Sequence, residues 1–470
     1  MQRLIPWLTL LAILAAGPSV QAQDPIHEVA RLGRGTATAL SWHPDGDVLA
    51  VGSSTGVWLL DAALSITGHH ASIEHVADVA WSPDGSQIAI TGTTNDECHI
   101  QLWNTALTDL RADHGLCGRH LLWSPDGARL AVFDQEQANT LWPGVTRGEG
   151  NTWMVAAING ELIATLIGHT GGWTSDGMHL ITCAVRRRSP ETEPGLYTWD
   201  ALTDEQVRRT DGSFYDCWRF LETNSADSVT GLCLERLADD SLVNYLCERN
   251  TVTGELTLGM ELPDNSNLYA LQRNHDHSLL AAVSWQPSRF LNTIAVMDIE
   301  TQEVRNVGNG EDFIWQPAAD VVTSIVGNGL IQYIDALTGE VLNEANLFTA
   351  PVTSVDWRPD SSQIASSGYG EGQFIRVWET TEPTYEPVLS WRFEPAHSVA
   401  YTPNGSELVT WGASLYGTVC SAITAWNPDT GERSRAIDSF YDQFEEPPII
   451  GWNNDFTRAA YERTYEEIQI

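Results

Sequence analysis

Trp81-Ser82-Pro83-Asp84-Gly85 and Trp123-Ser124-Pro125-Asp126-Gly127 are one phrase written twice, and looser copies run along most of the 470-residue chain. The copies are Trp42-His43-Pro44-Asp45-Gly46, Trp173-Thr174-Ser175-Asp176-Gly177, Trp357-Arg358-Pro359-Asp360-Ser361 and Tyr401-Thr402-Pro403-Asn404-Gly405. Trp315-Gln316-Pro317 and Trp452-Asn453-Asn454-Asp455 are weaker echoes. Phrases repeated about forty residues apart mark a supersecondary unit that is stacked on copies of itself. Pro presets φ and Gly accepts a positive φ, so the phrase reads as a turn, and its Asp as a turn-maker, not a ligand.

The sequence on either side of the turn reads as strands. An apolar segment enters each Trp, as in Ala77-Asp78-Val79-Ala80-Trp81, and a second leaves the turn, as in Val48-Leu49-Ala50-Val51-Gly52 and Arg129-Leu130-Ala131-Val132-Phe133. Most of these runs carry β-branched residues and are bounded by turn signals. A third run ends in Trp or an acidic residue, as in Ile100-Gln101-Leu102-Trp103-Asn104 and Leu196-Tyr197-Thr198-Trp199-Asp200. A second turn signature follows it: Asp335-Ala336-Leu337-Thr338-Gly339-Glu340, with kindred copies at Asp200–Glu205, Asn250–Glu255, Asp298–Glu303 and Asn427–Glu432. This signature predicts a unit around 217–262, where the first phrase is missing.

Four antiparallel strands repeated at this period describe the blades of a β-propeller, an all-β fold. Ten units are counted, with landmarks at Trp42, Trp81, Trp123, Trp173, Trp218, Leu271, Trp315, Trp357, Tyr401 and Trp452. The last unit offers only three strands, and Ile26 to Arg31 supplies a spare one before the first. The expectation is one closed ring in which that N-terminal strand completes the last blade, so that no edge is left unpaired. Propellers usually have four to eight blades. A seven- or eight-blade ring with satellite units and a truncated double ring are therefore the alternatives.

The units resemble the WD40 family. The Trp-Asn, Trp-Asp and Trp-Glu endings of the third runs carry the resemblance, with Gly68-His69 and Gly168-His169 ahead of the following units; most units lack the Gly-His pair. The Trp-Ser-Pro-Asp-Gly turn also looks like that of TolB-type and prolyl-oligopeptidase-like propellers. The resemblance covers nearly all of residues 23–470 and implies a rigid platform for partners.

Residues 1–22 read as a signal peptide. Arg3 precedes an apolar stretch from Leu4 to Gly17, and Val20-Gln21-Ala22 offers a cleavage site after Ala22. A secreted or periplasmic protein is expected, with no membrane insertion after cleavage. Its 62 acidic residues against 25 basic ones, all Arg, give a net charge of -37, which opposes nucleic acid and anionic membrane surfaces. Of the seven cysteines, Cys233 with Cys247 is the first candidate bridge, since they flank a hairpin. Cys98 with Cys117 and Cys183 with Cys217 are weaker pairings, and Cys420 is left over. Spacing alone does not fix the connectivity.

Function is sought where the repetition breaks. The loops between second and third strands carry two long insertions in consecutive units. One, at 134–152, contains Trp142 and Arg147; the other opens with Arg186, Arg187 and Arg188. Arg suits bidentate contacts to carboxylate or phosphate, although a solvated loop neutralised by Glu191 and Glu193 is the plainer reading. Tyr369, Trp411 and Tyr416 stand in the corresponding loops of later units. Aromatic and Arg residues are common interface anchors, although repeats place Trp in the core by default. No nucleophile elbow, phosphate loop, twelve-residue calcium loop or zinc spacing is present. His69-His70 and His275-Asp276-His277 lack a clustered third ligand, so no metal and no cofactor are expected.

The expected function is therefore a non-enzymatic binding scaffold for a protein or peptide. The rival is a propeller enzyme, a hydrolase or lyase with its site in the central channel. Carboxylates and a His converging there would favour it. A propeller severed from a larger multidomain protein is a third reading.

Overall fold

The structure is a computed structural model that describes residues 33–469 apart from several intervening segments, the longest being 135–150, 185–194, 211–226, 412–420 and 441–448. The signal segment and the spare strand at 26–31 lie outside the described residues.

The described strands form ten separate antiparallel sheets in chain order, numbered here 1 to 10. They cover 37–70, 75–114, 120–167, 170–210, 228–261, 267–309, 312–346, 352–392, 398–440 and 449–469. Eight have four strands in simple sequential order; sheets 5 and 10 show three. The expected unit around 217–262 is sheet 5, whose Asn250–Glu255 turn joins its last two strands, Leu242–Asn250 and Leu256–Glu261.

Turn chemistry explains the repeat. The Asp84 carboxylate accepts from the Ser82 hydroxyl at 2.7 Å and from the Ser86 N–H at 3.0 Å. These bonds hold Asp84 below the usual carboxylate range. Gly85, at φ 69°, takes the left-handed conformation that closes the turn. The second signature works likewise: Asp335 accepts from the N–H groups of Leu337 and Thr338. Gly339 follows at φ 73°.

The landmark Trp residues join one sheet to the next. The Trp123 indole N–H donates to the Ala80 carbonyl, Trp173 to Leu122 and Trp315 to Gln272. Apolar clusters lie between sheets 1 and 2, 2 and 3, 3 and 4, 6 and 7, and 8 and 9. Sheets 4 and 5 are linked by the Thr210 hydroxyl donating to the Thr251 carbonyl. First strands contact first strands of neighbouring sheets, which makes the first strand the inner one.

One expectation is corrected. A single ring through all ten sheets would leave sheet 7 against sheet 8. Instead sheet 1 occupies that face of sheet 7. Leu40, Trp42, Leu49 and Trp58 share a core with Ile325, Ile331, Tyr333 and Phe348. The Trp42 indole donates to the Thr323 hydroxyl at 3.0 Å, and its ring lies 5.6 Å from that of Tyr333. Trp357 of sheet 8, written in the same phrase, is 55% exposed, against 5% for Trp42.

Cys98, Cys183 and Cys247 are each disulfide-bonded. Their expected partners Cys117 and Cys217, like the odd Cys420, lie outside the described residues, as does the side chain of Cys233.

Candidate functional site

Of the binding residues expected from sequence, Arg186, Arg187, Arg188, Trp142, Arg147, Tyr369 and Tyr416 lie outside the described residues. Trp411 is described. It ends the second strand of sheet 9, Leu408–Trp411, paired with Ser398 and partly buried, at the point where the 412–420 loop departs.

The roots of the two large insertions are described, and they are neighbours. Phe133 ends the second strand of sheet 3, just before the first insertion, and Ala184 ends that of sheet 4, just before the second. Both are buried in one core cluster with Trp173 and Tyr197. The roots of the two insertions therefore stand on adjacent sheets, while the loops themselves lie outside the described residues.

A second constellation was not anticipated as named residues. Asp78, His120 and Asp312 stand on the inner strands of sheets 2, 3 and 7: His75–Trp81, His120–Trp123 and Asp312–Trp315. The Asp78 Oδ2 lies 3.0 Å from His120 Nδ1 and accepts from the Leu121 N–H at 2.8 Å. The His120 side chain is 52% accessible. Phe133 stacks on its other side with ring centroids 6.1 Å apart.

The electrostatics of the three groups are coupled. Burial, followed by the negative charge of Asp78, pushes the Asp312 carboxyl up to about 7. Burial alone would lower His120, but the hydrogen bond and charge of Asp78, with the charge of Asp312, leave it raised. Asp312 can therefore hold and release a proton near neutral pH, and its titration is coupled to that of His120. A poised His beside carboxylates is also the raw material of general acid–base chemistry. Among the described residues, no group of three His, Cys, Asp or Glu side chains could hold a metal ion.

The suspect His pairs have other roles. The His69 ring stacks on Trp58 at 3.8 Å and its Nε2 meets the Thr55 carbonyl at 2.9 Å. His277 stands at the turn-closing position, φ 63°.

Two stretches, 62–104 and 342–379, match the family model of the WD domain, G-beta repeat (WD40). Each runs from the end of one sheet into the third strand of the next, so the sequence repeat straddles two structural sheets. WD40-type repeats are thus present in the chain. A crystal structure of a eukaryotic initiation factor overlaps 89% of this chain and 91% of that one, at 13% identity and a TM-score of 0.36. The β-propeller domain of Myceliophteria thermophila Cps50 (Swd1) overlaps 62% of this chain and 94% of that one, at 13% identity and a TM-score of 0.45. Neither overlap is close enough to carry an argument. No curated protein matches the chain.

Proposed function

We propose that this chain is a secreted or periplasmic WD40-type propeller that acts as a non-enzymatic scaffold for a protein or peptide, and that it binds through the paired insertions of sheets 3 and 4. The observation that carries this reading is the shared root of the two insertions at Phe133 and Ala184. A shared core would present the two insertions together, the usual placement of binding residues on a regular scaffold. The loops bring Trp142, Arg147 and the triplet Arg186, Arg187 and Arg188, an exception in a chain of net charge -37. Arg beside aromatic residues suits an acidic peptide surface.

Two further elements belong to this reading. Sheets 1 to 7 close into a seven-bladed ring, joined by side-chain packing between separately hydrogen-bonded sheets, and sheets 8 to 10 form an arc beyond it. Disulfide-bonded Cys98, Cys183 and Cys247 support an oxidising compartment, where such bonds persist. The Trp-Ser-Pro-Asp-Gly turns support a bacterial, TolB-like variety of the repeat.

The test is affinity capture from the native envelope or culture medium with the wild-type chain and with Arg186, Arg187 and Arg188 all replaced by Ser. A partner retained by the wild type and lost by the variant is expected. Equal retention by both would remove the insertions from the interface.

The cluster of Asp78, His120 and Asp312 favours a second reading, a hydrolase or lyase with its site in the central channel. Turnover of simple ester or glycoside substrates that disappears in His120→Asn would support it. Activity equal in the two proteins, or absent from both, would set it aside.

A further inference from the structure

We propose that Asn404 is a modification site: the Gly405 nitrogen displaces its side-chain amide, and the aspartate formed on hydrolysis completes a turn built for a carboxylate. The observation is an exception within the repeat. In the turn phrase the position of Asn404 is held by Asp45, Asp84, Asp126, Asp176 and Asp360, and by Asp276 in the irregular copy of sheet 6. Asn404 is exposed, and Gly405 follows it at φ 69°. The other Asn-Gly pairs of the chain, at Asn159, Asn309 and Asn328, do not stand at this position of the phrase.

The surroundings of Asn404 are those of the aspartates. Its Oδ1 accepts from the Thr402 hydroxyl at 2.8 Å, from the Ser406 N–H at 3.1 Å and from the Ser406 hydroxyl at 2.8 Å. Asp84 accepts from Ser82 and Ser86 in the same pattern. A charged acceptor makes such bonds shorter and stronger than an amide does. At Asp84, Asp176, Asp276 and Asp360 the hydroxyl bond, followed by the backbone N–H bond, holds the carboxyl below its ordinary range. Sheet 8 adds a positive charge beside the turn. The Arg358 Nε stands 3.3 Å from the place that a Cβ would take on Gly405.

The chemistry needs only water. The Gly405 nitrogen bonds to Asn404 Cγ, the Cγ–Nδ2 bond breaks, and the amide nitrogen leaves as ammonia with the proton that Gly405 gives up. Glycine has no Cβ to shield its nitrogen. Water then opens the cyclic imide. Cleavage at Cγ gives aspartate and a new negative charge. Cleavage at the Asn404 main-chain carbonyl gives isoaspartate, whose longer backbone misses the turn. The fold sets the pace: the Gly405 N–H donates to the Thr402 carbonyl at 2.7 Å, so attack waits for the turn to open locally.

The test follows the full chain by peptide mapping in a mass spectrometer as it ages in neutral buffer and, separately, in urea. Conversion of Asn404 is expected in both, more slowly in the folded chain. The ready-made product, Asn404→Asp, should melt at a higher temperature than freshly purified wild type at neutral pH. That gain should be lost as pH falls through the folded pKa of the new carboxyl, because the turn favours its charged form. Asn309→Asp, at the exposed end of the strand Val304–Asn309, is the control and should bring no gain. Asn404-Gly405-Ser406 is also an acceptor triplet for N-glycosylation, so the chain from its native source is mapped as well. A folded chain that keeps Asn404 while the chain in urea loses it, a sugar on Asn404 in place of the change, or an Asn404→Asp chain no more stable than the wild type would each overturn the proposal.

Discussion

Trp42 and Trp357 open the same turn phrase, in sheets 1 and 8, yet meet opposite surroundings. Trp42 is enclosed by Tyr333, Ile325 and the Thr323 hydroxyl of sheet 7. Trp357 is more than half exposed. Local sequence fixes the turn, while the neighbouring sheet decides the burial. Only a set of sheets that supplies every member with a predecessor gains the full packing energy of the repeat. The difference separates sheet 1, which packs on sheet 7, from sheet 8, whose Val355 and Trp357 are left exposed.

The sharpest way to break this comparison is to truncate both residues. Trp42→Ala removes a buried aromatic side chain and should cost about 3–5 kcal/mol. Trp357→Ala should stay within about 0.5 kcal/mol, as for other exposed positions. Urea denaturation of the two variants reads the difference directly. Similar losses in both would mean that Trp357 is covered and that the two groups of sheets are not distinct.

A smaller effect should confine pH dependence to sheets 1 to 7. Asp312 has a pKa of about 7 in the folded state and an ordinary value of 3.8. The folded chain therefore binds more protons than the unfolded chain across that window, and stability falls as pH rises through it, levelling off above about 7. His120 acts in the same direction. Its pKa is raised on folding, so its contribution is present below its unfolded value and is lost as pH rises through the folded one. Asp312→Asn cannot ionise, so its Tm at pH 8 should exceed that of the wild type by about 1–2 °C per kcal/mol regained. Its decline from pH 5 to pH 8 should also be shallower. A wild-type Tm that is level over this range, or an unchanged slope in the variant, would show that the cluster does not control stability.

The two turn signatures made the strands, the ten sheets and even the irregular sheet 5 legible in the sequence, because turn chemistry is written in consecutive residues. Which sheet packs on which was not legible. The phrase at Trp357 is almost that at Trp42, and the identity of a neighbour 280 residues away leaves no mark on it; Trp42 and Thr323 are 281 positions apart. The cluster of Asp78, His120 and Asp312 was hidden for the same reason, since its members come from three inner strands. The available signal was a charged residue inside an apolar first strand, as Asp78 is in His75-Val76-Ala77-Asp78-Val79-Ala80-Trp81. The insertions stand out in the sequence because length and composition break the repeat locally, and their roots, Phe133 and Ala184, share one core.

The smallest expected effect tests sheet 8 through its own turn. Ser361 closes that turn at φ 63°, where Gly46, Gly85, Gly127, Gly177 and Gly405 stand at φ 68–75° in their sheets. The rest of the turn is intact, since the Ser361 N–H donates to the Arg358 carbonyl at 2.8 Å and Asp360 accepts from Ser362. A side chain in the left-handed region costs about 1–2 kcal/mol, and the greater freedom of unfolded glycine takes back roughly 0.5–1 kcal/mol. Ser361→Gly should therefore stabilise by about 0.5–1 kcal/mol. The reverse change in sheet 2, Gly85→Ser, should destabilise by more, because a Cβ there would stand 2.2 Å from His43 Nε2 and the ring would have to move. The site of the gain is informative beyond its sign. If sheets 8 to 10 unfold separately, Ser361→Gly raises the midpoint of one calorimetric transition and Trp42→Ala lowers another. If all ten sheets unfold as one, both changes move a single transition, and the contrast between Trp42 and Trp357 is one of surface alone.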